Sequence, residues 1–122
     1  MLRKTGEWDV RCSSKLRRMF PKPRKGWWYK INRKQARRVV RILSKLYKIT
    51  PPEISENRPE HYGSYFRGVI EMHGRAHVKT VFHEFYHHLD YKTRGKYNSS
   101  DNKGGESSYG WQFADLMFEA MR

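Results

Sequence analysis

An α+β domain is what this sequence predicts, and three observations carry that expectation. An amphipathic helical period follows Asn32, short apolar runs broken by Pro and Gly fill residues 49–72, and two longer helical stretches close the chain. Strands grouped ahead of helices, without regular alternation, describe a sheet with helices packed to one side. The chain has 122 residues, which suits one domain. Its apolar fraction of 37% predicts a thin core, and an aromatic share of 15% supplies the bulky material for it.

Residues 1–30 read as a basic and aromatic arm, with "LRRMFPKPRKGWWYK" interrupted by Pro21, Pro23 and Gly26. No period emerges there, so an irregular segment docking through Trp27, Trp28 and Tyr29 is expected. The folded domain is placed at 31–122. A helix is predicted from Asn32 to Lys48, with Asn32 as N-cap and Gln35 as its capping-box partner. Ala36, Val39, Val40, Leu43 and Tyr47 share one face, while Lys34, Arg37, Arg38, Arg41, Lys45 and Lys48 share the opposite one. Pro51 and Pro52 end it. "HYGSYFRGVIEMHG" predicts a strand pair turning at Arg67-Gly68, and a third strand near 49–54 would start or edge the sheet. A second helix is predicted from about Ala76 to Arg94, stopped by Gly95, and a last one from Glu106 to Met121.

The chemistry concentrates in "TVFHEFYHHLDY", residues 80–91. At about 100° per residue, Val78, Phe82, Phe85 and Leu89 converge on one helix face, and His83 and His87 lie on another, one turn apart. Two imidazoles so placed can reach one ion at about 2.0–2.1 Å. Glu84 projects beside them, where it could take a proton from an attacking water. Two histidines bracketing a glutamate on a helix form the zinc-protease signature. The competing reading is a surface helix with a histidine-rich wet face.

A catalytic zinc needs a third protein ligand. Asp90, Asp101, Glu106, Tyr109 and Asp115 lie downstream. Asp90 continues the histidine stripe and suits an outer hydrogen-bonding role, as does Tyr109. Glu106 heads the last helix and shares a face with Gly110, Phe113 and Met117, with Gly110 allowing another helix to come close. The competing reading of Glu106 is a carboxylate placed to favour the helix dipole. Glu106 is the preferred ligand. His88 points away from His83 and His87 and is expected at the surface or in a supporting role. His73 and His77 are read as non-ligands.

The succession "YGSYFRGVIEMH", "TVFHEFYHHLD" and "ESSYGWQFADLM" resembles the minigluzincins, minimal gluzincin metallopeptidases of archaea. The resemblance covers about residues 32–121, and the two-histidine helix is its specific part. It implies a small single-domain zincin-like fold with a short three-stranded sheet, an active-site helix and a glutamate-bearing C-terminal helix. It implies one catalytic Zn²⁺ held by His83, His87 and Glu106, with Glu84 as general base and a peptide or protein as substrate. It also implies that Val69, Ile70, Glu71 and Met72 form a rim strand that pairs with an extended peptide. SprT-like proteases are similar, but carry a histidine where this chain has Tyr109 before "GWQF". ImmA-type regulatory proteases share the motif helix and a downstream glutamate.

The charge balance is 26 basic to 12 acidic residues, +14 net. It opens a second class of expectation, a nucleic-acid-associated module that meets phosphates through helix 32–48 and the N-terminal arm and retains a structural or vestigial zinc site. Cys12 is the only cysteine, which excludes an intramolecular disulfide and a cysteine-rich zinc site. As a thiolate it could instead cap the zinc of a latent form. No run approaches the roughly 18 apolar residues of a membrane span. "MLRKTGEWDV" lacks the apolar core of a signal peptide, so the expected location is cytoplasmic and no membrane partner is expected.

Overall fold

The computed structural model describes residues 11, 14–19, 30–55, 63–72, 76–94 and 105–121. Its elements run α1 (Ser14–Met19), β1 (Lys30–Ile31), α2 (Arg33–Tyr47), β2 (Glu53–Ser55), β3 (Gly63–Phe66), β4 (Val69–Met72), β5 (Ala76–His77), α3 (Val78–Arg94) and α4 (Gly105–Met121). The architecture is α+β, with four helices and two small sheets among these residues.

α2 forms where its period predicts. The Asn32 side chain accepts from the Gln35 N–H at 2.8 Å, and the Gln35 side chain accepts from the Asn32 N–H at 3.0 Å, completing the capping box. Ala36, Val39, Val40, Leu43 and Tyr47 are buried, and the basic residues of the other face are exposed. Lys48 closes the helix in the left-handed region at φ 56°.

The hairpin β3–β4 turns at Arg67 and Gly68, both at positive φ, as a two-residue type I′ connection requires. β2 begins just after Pro52 and pairs in parallel with β4, Ile54 opposite Ile70. The sheet order is therefore β2-β4-β3. This corrects the expected rim strand. Val69, Ile70 and Glu71 are paired with β2 on one side and β3 on the other, so they offer no edge for strand addition, while Met72 pairs with Gly63 of β3.

Two further differences come from short tertiary pairings. Ala76 and His77 pair with Ile31 and Lys30, so α3 starts at Val78 rather than at Ala76. The segment read as an irregular arm contains α1, whose Leu16 is fully buried against the core. Trp27, Trp28, Tyr29, Cys12, His73, Gly95 and Asp101 lie outside the described residues.

α3 is the axis of the core. Every residue from Val81 to Asp90 is buried. Tyr47 of α2 meets Phe85 at 5.9 Å between ring centroids, and Phe113 of α4 meets Tyr86 at 5.7 Å. Among the described residues no helix is long and apolar enough to cross a membrane.

Candidate metal centre

A helix buried on all sides cannot leave polar side chains unmatched, because desolvation without a partner costs on the order of 1–3 kcal/mol each. α3 nevertheless buries His83, Glu84, His87, His88 and Asp90. The surface-helix reading of this stretch therefore fails, and each polar group needs a physical role.

His83 and His87 face each other one helical turn apart. Their Nε2 atoms are 3.2 Å apart and their rings stand nearly perpendicular, at 83°. Two nitrogens bound to one tetrahedral ion at about 2.0–2.1 Å would be separated by roughly 3.3 Å, so the observed spacing fits a shared cation. The Glu84 carboxylate lies 3.7 Å from His83 Nε2. His83, Glu84 and His87 form a buried group, donor atoms within 4.8 Å of one another, that could hold a metal ion. Two imidazoles and a carboxylate are a donor set suited to zinc.

α4 fixes the orientation of His83. The Trp111 indole stacks on the imidazole at 4.2 Å and 24°. A Cβ built on Gly110 would fall 2.7 Å from both Cε1 and Nδ1 of that ring, so only glycine lets α4 approach this closely. Glu106 and Tyr109 belong to the first turns of α4, and their side chains lie outside the described residues. Position 106 is one helical turn before Gly110 on α4. Asp115 is excluded as a ligand: it is exposed and pairs with Lys79 at 3.1 Å. Asp90 is buried, three residues beyond His87.

His88 is not at the surface. It is 1% exposed and joins α3 to the sheet and to the loop after α2. Its Nε2 lies 2.6 Å from the Thr50 carbonyl, which only accepts, so Nε2 carries the proton. Nδ1, 2.8 Å from the Tyr65 hydroxyl, then accepts, and that hydroxyl accepts in turn from the Gly68 N–H at 2.6 Å. Burial lowers the His88 pKa; the Thr50 bond opposes this and nearby Lys92 adds to it. The neutral ring completes a chain from hairpin turn to helix. His77 is occupied elsewhere, accepting the Lys79 N–H through Nδ1 at 3.1 Å and packing on Phe118.

Spacing within one helix announced His83, Glu84 and His87. Trp111 and Tyr65 went unnoticed because each meets its histidine across elements, where no local period gives a signal. No family model matches this chain, and neither a curated protein nor a solved structure matches it.

Proposed function

We propose that this chain is a zinc-dependent metallopeptidase of the gluzincin kind. One observation carries the reading: two buried imidazoles whose Nε2 atoms are spaced for one tetrahedral ion, with a buried carboxylate beside them. Zinc, when bound, would polarise the scissile carbonyl and make water acidic enough to attack near neutral pH.

The chain's own groups supply the rest. His83 and His87 would hold the ion through their facing Nε2 atoms, which binding requires to be unprotonated. Glu106 is the proposed third ligand, because it stands one helical turn before Gly110, which packs against His83. Glu84 accepts the proton of the attacking water and returns it to the leaving amine. Asp90 and Tyr109 are proposed to hydrogen-bond the ligands from behind. Peptide pairing passes from the closed β4 to the outer edge of β3, the strand tied to α3 through Tyr65 and His88.

The test compares wild type with Glu84→Gln and His83→Ala, measuring zinc by elemental analysis and cleavage of a quenched peptide library. Wild type should bind one zinc and lose cleavage on chelation. Glu84→Gln should keep the zinc and lose about 10²–10⁴-fold in kcat/KM. His83→Ala should lose both. Full activity in Glu84→Gln overturns the base assignment, and failure of wild type to bind zinc in excess overturns the site. Zinc bound without any cleavage assigns it a structural role.

A further inference from the structure

We propose that the exposed face of α2 is a docking surface for the phosphate backbone of double-stranded nucleic acid. Lys34, Arg37, Arg38, Arg41 and Lys45 fall within a sector of about 100° at helical spacing. All five are exposed, and α2 contains no acidic residue. Among the described residues no carboxylate pairs with any of them; Arg37 reaches the Ile54 carbonyl at 3.4 Å. Like charges held this close on one rod repel, and a polyanion relieves that repulsion.

The helix cannot rotate to hide the stripe, because its opposite face is locked into the core by Val39, Val40, Leu43 and Tyr47. From Lys34 to Lys45 the stripe runs about 17 Å. One duplex strand advances about 3.4 Å per phosphate, so roughly five phosphates fit along it. Beside it, Arg37 and Arg41 line a groove of about 390 Å³ together with Pro51, Pro52, Glu53 and Ile54. That groove gives the two guanidiniums room to close on a phosphate ridge. Three of the five cations are arginines, whose planar donor fork matches phosphate oxygens.

The composition of the stripe selects among polyanions. A protein interface needs aromatic or apolar anchors at its centre. The exposed large hydrophobics among the described residues are Phe66, Trp111 and Leu116, none of them on α2. A single strand would call for rings on which bases stack, and the stripe has none. Insertion into a lipid surface would need the apolar face that the core already holds. The residues of the stripe itself therefore fit sequence-independent contact with duplex phosphates. The stripe faces away from the metal centre, because α2 meets α3 through Tyr47 and Phe85 on its other side.

The experiment is fluorescence anisotropy of a labelled 20-base-pair DNA duplex with the full chain across a salt series. Five phosphate contacts give a slope of log Kd against log salt of about 4.5 in magnitude. The variant Arg37→Gln, Arg38→Gln, Arg41→Gln, Lys45→Gln should fall to about 1, with unchanged circular dichroism. If it misfolds, the single variants Arg38→Gln and Lys45→Gln should each remove about 1 from the slope. Lys15→Gln, Arg18→Gln, Arg67→Gln, Lys92→Gln removes equal charge elsewhere and should leave the slope within about 1 of wild type. Equal loss in both quadruple variants overturns the assignment to α2. So does displacement of the duplex by polyglutamate at matched charge, tighter binding of single strands, or equal binding to phosphatidylserine vesicles.

Discussion

Gly110 shows how much one missing methyl group can decide. The Trp111 indole stacks on His83, and the space a Cβ on Gly110 would need is already filled by that imidazole. Gly110→Ala must therefore move a ring that is buried and stacked, rather than the loose end of a flexible side chain. We expect a cost of about 1–3 kcal/mol in thermal or chemical unfolding, as for other overpacked sites. A zinc affinity at least tenfold weaker should accompany it, since displaced ligand supports typically cost about 10–100-fold. Unchanged metal affinity in a folded Gly110→Ala protein would show that the ring's position does not govern binding. At this scale the sequence was partly readable. Spacing pointed to His83, Glu84 and His87, and a small residue at 110 signalled close helix approach. It said nothing of which atom would fill the gap, because that contact joins positions 27 apart.

At the scale of elements, legibility followed the origin of stability. α2 owes its existence to local features, a period of apolar residues and a capping box, and these are visible in the string. α1, β1 and β5 are only 6, 2 and 2 residues long. Elements so short are held by what they pack or pair against, which no window reveals. The central place of β4 was hidden for the same reason, since its parallel partner β2 arrives from fourteen or more residues upstream. The start of α3 offers a test. His77 stands just before Val78 and accepts the Lys79 N–H, serving as an imidazole N-cap. Burial, Lys79 and Lys30 all lower its pKa from the ordinary 6.5. With the folded value below the unfolded one, the unfolded chain binds more protons in the window between them. The cap's contribution is thus complete above about pH 6.5 and lost as pH falls through that window. His77→Asp keeps an acceptor there and should flatten the stability profile below about pH 6.5, with a gain of about 1 kcal/mol on the acid side. A variant whose profile still falls as steeply would remove His77 from the account.

For the whole molecule, the N-terminal segment matters more than its composition suggested. Leu16 is sealed in the core, Arg11 donates its backbone N–H to the Tyr47 hydroxyl at 2.9 Å, and Arg17 donates to the Ala120 carbonyl at 3.0 Å. The last of these satisfies an otherwise unmatched carbonyl at the end of α4 with a cation, which the helix dipole favours. Basic and Pro-rich surroundings disguised this, because one apolar side chain between arginines makes no period. Leu16→Ala should destabilise the protein by about 2–5 kcal/mol in denaturant unfolding, as for a core leucine. A loss below about 0.5 kcal/mol would return the segment to the status of a loose arm.

The stacking of Trp111 on His83 also sets an order in time. α3 is made before α4 during synthesis, yet the indole that stacks on its histidine belongs to α4. A nascent chain still waiting for α4 holds the two imidazoles without the indole that stacks on His83. Under the proposed function, firm capture of the cation by His83 and His87 waits for α4 to be made, and the proposed peptidase activity waits with it.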